Sequence, residues 1–150
     1  MTIRTTLTAM LCMATASAVN ATEPAVIAPV EEQTALATYT APLETMFGIV
    51  EKINAQLISV QDEDTAETAG EAIQLLVKSL DTAAVEFGQL PAPTPAVQAE
   101  LDAWFAAREH IMEAMVQQVE RLQNEDPAFF GSQTLISAIV MVGGVLGGAQ

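Results

Sequence analysis

Residues 43–87 read LETMFGIVEKINAQLISVQDEDTAETAGEAIQLLVKSLDTAAVEF. Apolar side chains recur at Leu43, Met46, Val50, Ile53, Leu57 and Val60, then at Ala66, Ala69, Ile73, Leu76, Leu80, Ala83 and Phe87. The spacing alternates three and four, the period of a helix that buries one stripe against a neighbour. Only Gln61–Asp64 separates the two stripes, so the helices, expected over 43–60 and 65–88, must fold back on one another. In that antiparallel register Leu57 faces Ala69, Val50 faces Leu76 and Leu43 faces Ala83. The register places Leu76 in the core and Gln74 off it. Asp64, with Glu67 three residues on, predicts an acidic capping box at the start of the second helix.

Beyond this hairpin, Leu90-Pro91-Ala92-Pro93-Thr94-Pro95 is a stiff linker, with Thr94 as N-cap and Pro95 at the first helical position. A third helix is expected over 95–123 with the seam Val97, Leu101, Trp104, Arg108, Ile111, Met115 and Gln118. Folded back on the second helix, it sets Phe87 against Val97, Leu80 against Trp104 and Ala69 against Met115. The fold class expected is all-α, an antiparallel coiled-coil-like bundle of three to four helices over residues 43–126. Ahead of it, residues 22–42 hold three prolines and three glutamates and read as an extended leader.

The tail, residues 127–150, has no charged residue. It contains two overlapping GxxxG pairs, Gly143/Gly147 and Gly144/Gly148, which permit close helix approach and are the candidate interaction residues. Its apolar run is short for a membrane span and lacks flanking Lys or Arg. A fourth, buried helix is the preferred reading, and membrane association the alternative.

The N-terminus has the order of a secretory signal peptide over residues 1–21. Arg4 precedes an uncharged apolar stretch, Leu7–Ala18, and the small-x-small sites Ala16-Ser17-Ala18 and Val19-Asn20-Ala21 follow. Cys12 is preceded by Leu11 rather than by a small residue, which excludes a lipobox. The expected address is therefore export to the periplasm, cell envelope or medium.

The formal charge is −14, from 5 Lys+Arg against 19 Asp+Glu. Loss of Arg4 takes it to −15. A chain so acidic does not bind nucleic acid, which needs clustered Lys and Arg. One Cys and one His exclude a zinc finger and a disulfide framework. No phosphate-cradling glycine loop, nucleophile elbow or C-x-x-C-H haem motif is present. The weak metal candidates are His110 and Glu113, one turn apart, but a carboxylate-bridged site wants Glu-x-x-His on two helices. Met46 and His110 lie at different levels, which argues against axial haem ligation, so no cofactor is expected. Arg108 is the one charge on a seam; it is expected to stack on Trp104 and to pair with Glu51. Asp62-Glu63-Asp64 lacks the ligand spacing of a calcium loop and reads as a solvated turn.

The run Val60, Asp62, Thr65-Ala66, Ala69, Ile73, Leu76 and Leu80, followed by Leu90-Pro91 and Pro93-Thr94, resembles small exported helical-bundle proteins of bacteria. The resemblance covers about residues 43–105 and implies a long helical hairpin behind a signal peptide; no catalytic residue comes with it. The function expected is a non-enzymatic structural or interaction role in the cell envelope, with a protein partner or self-association. The alternatives are a membrane-anchored or self-associating protein using the GxxxG tail, and a metal- or haem-binding bundle.

Overall fold

A computed structural model describes residues 29–147. Among the described residues the chain is all-helical, without strands, and packs as a helical bundle. The helices are α1 (Pro29–Ser59), α2 (Glu63–Gly88), α3 (Pro95–Ala106), α4 (Glu109–Glu125) and α5 (Gln133–Leu146). The proposed signal peptide, the first part of the leader and Gly148 lie outside the described residues.

The α1–α2 hairpin follows the heptad reading. Val50, Ile53, Leu57, Val60, Ala66, Ala69, Ile73, Leu80 and Ala83 are all buried. Met46, Leu76 and Phe87 are half-buried, so Leu76 sits at the edge of the core rather than at its centre. The helix cap falls two residues earlier than expected. Asp62 Oδ1 accepts the Thr65 N–H at 2.9 Å, and the Asp62 N–H donates to Thr65 Oγ1 at 3.0 Å. Threonine at N3 closes the reciprocal box as well as a glutamate does, because its hydroxyl can accept the backbone donor. The Thr65 hydroxyl and backbone N–H hold the Asp62 carboxyl below its ordinary value.

Three expectations are corrected. First, residues 29–42 are helical: α1 begins at Pro29 and runs through Pro42. An interior proline normally breaks a helix. Here Tyr39 and Leu43 are buried with Val97 and Leu101 of α3, and the Tyr39 hydroxyl donates to the Pro91 carbonyl at 3.0 Å. Packing on both sides of Pro42 outweighs its local cost.

Second, the third helix is broken at Ala107-Arg108 into α3 and α4. In an unbroken helix the Arg108 N–H would bond the Trp104 carbonyl. Instead it bonds Phe105 at 2.9 Å, and the Arg108 guanidinium donates to the Trp104 carbonyl at 3.3 Å. The same guanidinium lies 3.8 Å above the Trp104 ring, the stacking expected from the sequence. The expected ion pair with Glu51 is not formed.

Third, neither α3 nor α4 lies alongside α2; both pack on α1, and α5 takes the place beside α2. Phe47 of α1 meets Trp104 edge-on, ring centroids 5.4 Å apart, and Phe105 at 6.0 Å. At the other end, Arg121 of α4 donates to the Leu57 carbonyl at 2.9 Å and to Glu125 at 2.6 Å. Leu57 is among the last carbonyls of α1, where a cation complements the negative end of the helix dipole.

The turn into α5 is made by Phe129, Phe130 and Gly131, all left-handed with φ of 50°, 57° and 78°. Two phenylalanines in that region are costly. Burial of Phe129 in the main core offsets part of the cost, and the turn returns the chain to the first part of α2.

Candidate functional site

The features that stand apart from ordinary helix packing converge on α5. Its sequence, QTLISAIVMVGGVL, contains no ionisable side chain. Ser132 caps it: its hydroxyl accepts the Leu135 N–H at 3.0 Å and donates to Glu67 Oε2 at 2.7 Å. Thr134 donates its hydroxyl to the other Glu67 oxygen. A carboxylate thus holds the positive end of an otherwise uncharged helix. Glu67, expected to cap its own helix, ties α5 to α2 instead.

Just beyond, the backbones nearly touch. A Cβ built on Gly70 would lie 2.6 Å from the Leu135 nitrogen and 2.8 Å from the Thr134 carbonyl carbon. The missing side chain of Gly70 is what permits the close approach of α2 and α5. Gly143 and Gly144, the first glycines of the two GxxxG pairs, do not play that part within the chain: both are exposed, and a Cβ on either would meet nothing within 4 Å.

Leu135, Ala138 and Val142 bury one face of α5. Val140 is 69% exposed and Met141 46%, so the other side of the helix is uncharged and presents these two apolar side chains beside Gln133 and Ser137. Between α4 and α5 runs a groove of about 120 Å³. Ile53, Leu57 and Ile73 lie at its base, Met115 and Val119 on one wall and Gly143 on the other; every lining residue is apolar. The groove can hold an apolar group, and it offers no acid, base or nucleophile for chemistry.

His110 and Glu113 are both exposed, in the first turns of α4. Among the described residues no group of three or more His, Cys, Asp and Glu is placed to hold a metal ion. No described helix is long and apolar enough to cross a membrane.

No protein-family model matches the chain, and no curated protein or solved structure matches it either.

The Thr134 and Ser132 hydroxyls hold the Glu67 carboxyl below its ordinary value. A carboxyl depressed by folding stabilises the fold above its unfolded pKa, and the stabilisation is lost as pH falls through the folded value. Wild-type stability in urea should therefore fall more between about pH 6 and about pH 3 than that of Glu67→Gln. Identical pH profiles for the two proteins would show that the carboxylate does not anchor α5.

Proposed function

We propose that the chain is an exported, acidic helical-bundle protein with a non-enzymatic interaction role in the cell envelope. In this reading the bundle has four layers, with α3 and α4 forming one broken layer, and α1 and α2 form its coiled-coil-like core. The observation that carries the reading is α5, an uncharged helix fixed to the bundle by one face and bare on the other. A soluble acidic chain seldom keeps a contiguous apolar face without a partner for it. The second reading, membrane association through α5, draws on the same exposed Val140 and Met141. It would be contact with a bilayer surface, because α5 has only 14 residues where about 20 are needed to span.

The test is made on protein recovered from its native host. The N-terminus found by mass spectrometry should be Val19 or Thr22, and carbonate without detergent should release the protein from the envelope fraction. Intact Met1 in the exported fraction would contradict processing, and retention until detergent is added would favour the membrane reading.

A further inference from the structure

We infer that the bare side of α5, with the α4–α5 groove beside it, is the docking surface for a second copy of this chain, α5 against α5. This rests on the interaction reading above and supplies the partner that reading leaves open.

Charge narrows the occupant. Helices α1 to α4 each carry more Asp and Glu than Lys and Arg, whereas α5 carries none of the four. A basic partner would be drawn to α1–α4 and an acidic one repelled by them. The occupant of the α5 face is therefore neutral and apolar there. An anionic lipid surface does not qualify, since interfacial helices bind such surfaces through Lys and Arg on their polar side. A second α5 does qualify. Two-fold pairing sets one uncharged face on the other and keeps the carboxylates of both copies outside.

The shape agrees. On the helical wheel Ile139 and Gly143 are followed by the half-buried Ile136 and then by Val140, so the groove wall runs on into the exposed face. Val140 of one copy is a knob of the right chemistry for the groove of the other. Glycine weakens a helix relative to alanine, and nothing inside the chain requires it at positions 143 and 144, where a Cβ would meet nothing. Across a helix pair those same positions allow the backbones to approach closely. A helix of 14 residues is about 21 Å long, so the contact belongs at the small, weak end of specific interfaces.

Sedimentation velocity of the purified protein over a range of concentrations tests this. A monomer–dimer equilibrium of micromolar or weaker strength is expected, and dimer should increase from about 0.02 M to about 0.5 M NaCl as the repulsion between two acidic bodies is screened. Val140→Lys should weaken the dimer by about tenfold or more while leaving thermal melts unchanged, because Val140 is exposed in the monomer. Ile58→Lys, at an exposed apolar position near the end of α1, should leave the dimer unchanged. A chain that stays monomeric up to about 1 mM overturns the proposal, as does a dimer that weakens with salt or ignores Val140→Lys. Co-sedimentation of wild type, but not of Val140→Lys, with phosphatidylcholine vesicles would assign the face to lipid and overturn it too. An exported monomer that captures a different protein would defeat this proposal and leave the functional reading standing.

Discussion

Replacing Gly70 by alanine should destabilise the protein by about 1–3 kcal/mol, the range seen when a side chain is forced into a filled space. The sign is the informative part. Inside a helix, glycine to alanine ordinarily gains up to about 1 kcal/mol. Here the added methyl would lie 2.6 Å from the Leu135 nitrogen and 2.9 Å from its Cα. Both are backbone atoms of α5, so no side chain can swing aside and the whole helix must shift. Gly48 of α1 is the matched control, since a Cβ there meets nothing within 4 Å. Gly48→Ala should stabilise while Gly70→Ala destabilises, read by urea melts followed by circular dichroism. Stabilisation of both variants would mean that α5 is not seated on α2.

The second large effect is at Ile73, which has no solvent exposure and sits where α1, α2 and the base of the groove meet. Ile73→Ala removes buried methyl groups that the surroundings cannot replace, and should cost about 2–5 kcal/mol. Leu75, two residues on, is 65% exposed; Leu75→Ala should stay within about 0.5 kcal/mol. Leu76→Ala should fall between the two, because Leu76 is half-buried. Equal effects at positions 73 and 75 would show that the face α2 buries has been assigned wrongly.

The α1–α2 hairpin was legible in the sequence because its heptads, turn and register agree, and a one-residue slip would lose most of the seam contacts. The Thr94–Pro95 start and the Arg108–Trp104 stack were legible for a similar reason: each is local, decided by residues within one turn. What was not legible is which helix packs where. The stripe of α1 continues upstream through Tyr39 to meet α3, but Pro42 reads locally as a helix start and hides it. The break at Arg108 turns on a side chain competing for the Trp104 carbonyl, which periodicity cannot register. Gly70 lies beside the seam of the hairpin, yet its partner is α5, more than sixty residues away. Glu67 reads locally as a cap for its own helix, whereas its contacts, Ser132 and Thr134, are equally distant in the chain. In the candidate site the uncharged character of the tail could be read directly. The groove could not, because it is lined by residues of α4 and α5 together, two helices that no heptad pairing in the sequence brings side by side.

The central claim is that residues 133–146 form a helix docked on α2 and not a free or membrane-bound tail. Native-state amide hydrogen exchange tests it most directly, since buried helices that open only with the whole fold share one free energy of exchange. The amides of Ala138 and Val142 should exchange as slowly as those of Ile73 and Val77, and Gly70→Ala should speed up the α5 amides first. Fast exchange across 135–142 beside a fully protected α2 would contradict the account.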